Sequence, residues 1–138
     1  MTLRIIAILL ISIFHISCCS QSFSYPVIAD VTKIEVSVNS SAQVISEITD
    51  NSQINRIVRF IDERRSRWCA PWFRSVPTAP VTLFFQIRND AKGTIGFGKG
   101  LFVADFASEH YEMDISEDEL RDFLGLIGLT EEQLNGLH

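Results

Sequence analysis

Residues 49–72, TDNSQINRIVRFIDERRSRWCAPW, decide how the rest of this chain must fold. Ile54, Ile57, Val58 and Ile61 recur at i, i+3, i+4 and i+7, which lays an apolar stripe along one face of a helix. The same stripe extends two turns further to Trp68, and such a face needs a sheet to lie on. Asp50 is the expected N-cap, with Gln53 spaced to return a hydrogen bond to it. Pro71 ends any helical continuation, because its ring clashes with the preceding turn and it has no N–H. The other face, with Arg56, Asp62, Glu63, Arg64, Arg65 and Arg67, is expected to meet water or a partner.

The flanking segments read as strands. Upstream, Ile34, Val36 and Val38 alternate with Lys33, Glu35 and Ser37, the period-2 pattern of a strand with one buried face. Residues 39–41 read as a turn, and residues 42–48 return as a second strand. Downstream, Val81, Leu83, Phe85 and Ile87 alternate through residues 81–88, and Asn, Asp and Gly in 89–93 predict a hairpin turn. Strands at 94–97 and 101–106 follow, separated by a tight reversal at Gly98-Lys99-Gly100. Residues 107–115 resist assignment beyond an edge strand around 111–114. Ser116 then opens a helix with Glu119 completing a capping box and Leu120, Phe123, Leu124 and Ile127 as its stripe. Gly128 stops it, and Thr130 with Gln133 caps a last turn carrying Leu134 and Leu137. The expected fold is α+β: a single two-layer domain of order ββαβββα, with about five mainly antiparallel strands and two helices on one face.

Length bounds the same answer. The chain has 138 residues, enough for one domain once a targeting segment is set aside, and ten phenylalanines supply a core. The formal charge of −5 argues against nucleic acid as a partner. Charge is also segregated: residues 56–74 hold six arginines against two acids, and residues 105–138 hold ten acids against one arginine. The two regions are expected to face each other across the fold or to be solvated.

Residues 5–14 form an almost wholly apolar run behind Arg4. Ten residues are too short to span a bilayer but fit the h-region of a secretory signal. With His15-Ile16-Ser17-Cys18 next, the segment resembles a bacterial lipoprotein signal, in which the cysteine after the cleavage point receives lipid. Ile16 and Ser17 suit that pattern, and His15 departs from its usual leucine-like residue. Taking Cys19 as the acceptor restores Ile16 to that position but puts Cys18 where a small residue is usual, and cleavage near Cys19 or Ser20 without lipid is a third route. The division expected is a signal peptide at 1–17, a linker at 18–30 and one domain at 31–138. The resemblance implies an exported protein, periplasmic or anchored to a membrane of the bacterial envelope. The body looks like the small, functionally uncharacterised domains that follow export signals in many bacteria.

The chemistry-bearing residues are few. Gly96, Gly98 and Gly100 form a GxGxG, but a β-rich stretch follows where a phosphate loop needs a helix, so hairpin glycines are expected. Cys69 has no cysteine within three residues and is no CxxC pair; it is either buried and free or bonded to whichever of Cys18 and Cys19 survives processing. His110 with Asp105, Glu109 or Glu112 offers Cys69 a base and an orienting carboxylate on paper. Asp105, Glu109, His110 and Asp114 lack the paired histidines of a metal site, and neither metal nor cofactor is expected. Trp72, Phe73 and Arg74, stiffened by Pro71 and Pro77, are the candidate partner-binding residues. The expected function is a non-enzymatic module that binds an envelope protein or component. The alternatives are a small hydrolase or thiol enzyme using Cys69 and His110, and an inhibitor or immunity-type protein.

Overall fold

The computed structural model describes residues 30–38, 44–70, 79–88, 92–106 and 109–137. Strands β1 (Val31–Val38) and β2 (Val44–Ile48) precede helix α1 (Asn51–Asp62). Strands β3 (Val81–Ile87), β4 (Lys92–Gly98), β5 (Leu101–Phe106) and β6 (Glu109–Asp114) then run consecutively, followed by helices α2 (Glu117–Ile127) and α3 (Glu131–Asn135). All pairings are antiparallel, in the order β2-β1-β3-β4-β5-β6. The fold is therefore α+β with one open sheet, and it has six strands where about five were expected. The sixth is β6, the edge strand expected around 111–114, which starts earlier at Glu109 and whose Tyr111 and Met113 alternate inward while His110 and Glu112 point to the other face.

One face of the sheet carries the core. Ile34 and Val36 of β1, Val81, Leu83, Phe85 and Ile87 of β3, Ile95 and Phe97 of β4, and Phe102 and Ala104 of β5 are buried with Ile54, Ile57, Phe60 and Ile61 of α1. Phe123 of α2 sits among three other rings, with centroids 4.8 Å from Phe102, 5.0 Å from Phe60 and 5.3 Å from Phe97. Aromatic contacts of this kind fix side-chain geometry as well as burying area.

Helix ends follow local chemistry. Asp50 caps α1 by accepting from the Gln53 backbone N–H at 2.7 Å. The Gln53 side chain does not return to the cap; it donates to the Leu126 carbonyl at 2.8 Å and ties α1 to α2. The stripe does not continue helically to Trp68: α1 ends at Asp62, residues Arg65–Arg67 form a 3-10 turn, and Trp68 is extended. Trp68 is buried nonetheless. Both capping boxes, Ser116 with Glu119 and Thr130 with Gln133, are present, and Gly128 takes the left-handed conformation (φ 76°) that closes α2. Gly100 (φ 81°) serves the two-residue turn between β4 and β5, so the GxGxG is a hairpin.

Candidate functional site

The face of the sheet away from the helices holds the remaining chemistry. Because directly paired residues of antiparallel strands share a face, the register defines rows across it. One row runs Glu47, Glu35, Phe84, Thr94, Asp105, His110. Its neighbour runs Val44, Ser37, Thr82, Gly96, Val103, Glu112. Cys69 extends the second row past β6: its N–H donates to the Glu112 carbonyl and its carbonyl accepts from the Glu112 N–H, both at 2.8 Å. Cys69 and Glu112 thus lie side by side on one face, next to His110.

The imidazole of His110 is held on both sides. Nδ1 lies 2.8 Å from Asp105 Oδ1, its partner across the β5–β6 hairpin, and Nε2 lies 3.4 Å from Glu112 Oε1. The side chain is only 6% exposed. Glu109 does not join this group, because it faces the helix side and accepts from the hydroxyl of Tyr111. That bond pushes the Tyr111 phenol up to about 12, with burial adding to it. Asp114 pairs with Leu101, outside the Asp105–His110 row. Asp105 and Glu112 thus meet His110 while Glu109 and Asp114 do not, and among the described residues no cluster of three His, Cys, Asp or Glu side chains suits a metal ion.

Cys69 is disulfide-bonded. In that state it carries no thiolate, and the register pairs it with Glu112 rather than with His110, so a Cys69–His110 catalytic pair lacks its nucleophile. The chain's other cysteines, Cys18 and Cys19, lie outside the described residues, as do Trp72, Phe73 and Arg74. Beside Cys69, a groove of about 390 Å³ is lined by Ser66, Arg67, Leu101, Glu112 and Asp114. Farther along the same face, Phe84 is 42% exposed between Lys33, Gln86 and Lys92.

The segregated charges meet at one carboxylate in the helix layer. Glu119 accepts from Arg64 Nε at 2.9 Å and from Arg67 Nη1 at 2.5 Å, and its side chain also caps the Ser116 backbone N–H at 3.1 Å. These bonds, that to Arg67 foremost, hold the Glu119 carboxyl down at about 2. Arg67 also donates to the Asp114 carbonyl at 2.6 Å, joining the turn after α1 to the end of β6. Arg64 stacks on Phe60, its guanidinium carbon 3.6 Å from the ring centre. Arg56 and Arg59 make no ion pair among the described residues. They border an open groove with Phe60, Glu63, Asp122 and Leu126.

Of the three carboxylates that the sequence offered to His110, Asp105 and Glu112 reach it and Glu109 does not, and the sequence could not choose among them because the edge strand expected around 111–114 left out residues 109 and 110. The signal was there in the alternation of His110, Tyr111, Glu112 and Met113 directly after residues 101–106, which is the pattern of a returning hairpin strand. No helix among the described residues is long and apolar enough to cross a membrane. No protein-family model matches the chain, and neither the curated proteins nor the solved structures offer a significant match.

Proposed function

We propose that this chain is an exported bacterial protein, held at the envelope by an N-terminal lipid, whose domain works by binding another envelope protein. One observation carries the reading: Cys69 is in a disulfide, and structural disulfides belong to compartments outside the reducing cytosol. The apolar run at 5–14 and Ser17-Cys18 supply the route to such a compartment. Binding is favoured over catalysis because the best-placed base, His110, has a carboxylate at each ring nitrogen and the nearby sulfur is already bonded.

The partner contact is proposed at Trp72, Phe73 and Arg74, residue types that concentrate binding energy at interfaces. Arg56 and Arg59 add cationic groups on the helix layer, so the partner that suits this protein presents carboxylates. Cell fractionation with affinity capture tests the proposal. The full-length protein should sediment with membranes and be released by detergent but not by salt, and Trp72→Ala should abolish capture of the partner at an unchanged melting temperature. A soluble cytosolic protein would remove the export reading, and a strong drop in melting temperature for Trp72→Ala would return that residue to the core.

A further inference from the structure

We infer that the cavity between the β4–β5 turn and helices α2 and α3 binds a small zwitterion with an apolar side chain, either a free hydrophobic amino acid or a dipeptide of such residues. It lies apart from the partner contact proposed above and does not depend on export.

Three local features of the chain build this cavity. The two-residue turn Lys99-Gly100 joins β4 to β5 at one end of the sheet. The junction after β6 contributes Ile115, α2 contributes Glu117 and Leu120, and α3 returns to the same place with Glu131 and Leu134. Together they line about 370 Å³. That is near the lower end of the range for small-molecule sites, roughly 300–1,000 Å³, and suits one or two amino-acid residues rather than a large cofactor.

The floor is apolar. Ile115, Leu120 and Leu134 line the cavity, and each belongs to the core at no more than 6% exposure. An aliphatic or aromatic group seated on them leaves water for apolar surroundings. The walls are fixed before any ligand arrives. The Ile115 N–H donates to the Gly100 carbonyl at 3.1 Å and ties the turn to the start of α2. Capping boxes at Ser116 and Thr130 set the first turns that carry Glu117 and Glu131. Arg121 bridges the two helices, with Nη1 2.8 Å from Asp118 and Nε 2.8 Å from Glu131. A cavity held in this way needs little ordering on binding.

Charges on the rim select the ligand. Lys99 stands on the hairpin side, and Glu117 and Glu131 stand on the helix side. Glu131 is already met by Arg121, whereas Lys99 and Glu117 make no ion pair among the described residues. One cation and one anion are therefore left over, on different elements around an apolar floor. A ligand with only a carboxylate would suit Lys99 but oppose Glu117, and one with only an ammonium would do the reverse. A zwitterion satisfies both. Its carboxylate accepts from the Lys99 ammonium, its own ammonium donates to the Glu117 carboxylate, and its side chain rests on Leu120 and Leu134.

Titration of the full-length, isotope-labelled protein with leucine and with leucyl-leucine, followed by amide NMR shifts and by calorimetry, tests the inference. The amides of Gly100, Ile115 and Leu134 should shift. N-acetylleucine lacks the ammonium and leucinamide lacks the carboxylate, so each should bind about tenfold more weakly than leucine or worse. Lys99→Gln and Glu117→Gln, both at exposed positions, should weaken leucine binding by a similar factor at an unchanged melting temperature. In Lys99→Gln, leucine and leucinamide should bind alike, because the group that tells them apart is gone. Three results overturn the inference: no shift at about 10 mM of either probe, where a Kd of about 1 mM would already be near saturation; shifts that map away from the cavity; or blocked analogues that bind as tightly as leucine.

Discussion

Replacing Glu119 should loosen the joint between the two main helices in a way that pH can read. This carboxylate receives Arg64, Arg67 and the Ser116 N–H, so one side chain joins the turn after α1 to the start of α2. Glu119→Ala removes the return half of a capping box and two charged hydrogen bonds, together about 2–3 kcal/mol. For a domain of this size that lowers Tm by roughly 10 °C or more. Its folded carboxyl is depressed to about 2 from 4.5, so the stability it contributes is complete above the unfolded value and is lost as pH falls from about 4.5 to about 2. The whole shift corresponds to about 3 kcal/mol. Arg67 is 42% exposed, and solvent screening of that pair reduces the expected contribution to about 1–2 kcal/mol. Urea unfolding of wild type and Glu119→Gln at about pH 5.5 and about pH 2.5 measures it. Wild type should lose about 1–2 kcal/mol more than the variant across that interval. Equal losses would show that the Arg64, Arg67 and Ser116 contacts contribute nothing to folding.

Other substitutions probe the core, the glycines, the hairpin and the disulfide. Ile57→Asp or Ile61→Asp should unfold the domain, since an unpaired carboxylate in this core costs several kcal/mol against a total of about 5–15, and a melt within a few degrees of wild type would refute the assigned face. Gly93→Ala should cost about 1–3 kcal/mol because its Cβ would fall 1.9 Å from the Phe106 ring, whereas Gly125→Ala on exposed α2, with nothing within 4 Å, should stabilise by about 0.5–1 kcal/mol; thermal melts compare the two. The Tyr111 phenol is raised to about 12 from 10.0, so its contribution is complete below pH 10 and lost as pH rises from about 10 to about 12, and Tyr111→Phe should flatten stability over that window. Cys69→Ser, by removing a disulfide, should lower stability in non-reducing buffer by about 2–4 kcal/mol, with no difference from wild type once reductant is added.

What the sequence made legible was local. Both capping boxes, the Gly128 stop and the stripe of α2 depend on residues within a turn of each other, and all appear as expected. The alternation in β1 and β3 was equally plain because one face of each strand meets the core. Extrapolating the α1 period to Trp68 failed because Glu63 and Arg64 lead into a 3-10 turn, and Trp68 reaches the core from an extended segment whose next residue pairs with Glu112. Strand β6 was obscured by Glu109, Glu112 and Asp114, acids that lower β-propensity but here sit at exposed or half-exposed positions on the sheet. The charge segregation was visible, yet its resolution at Glu119 was not, since those arginines lie more than fifty residues away in sequence. The His110 pairing likewise needed the β5–β6 register, which the alternation of residues 110–113 marks as a hairpin strand but does not set by itself.

The proposed function requires that this domain work outside the cytosol with Cys69 already in its disulfide. Intact mass of the native protein, alkylated before and after reduction, addresses it directly. The expected result is a chain beginning at Cys18 that carries a diacylglycerol mass and whose Cys69 takes up alkylating agent only after reduction. An unprocessed chain whose Cys69 is alkylated without reduction would contradict it.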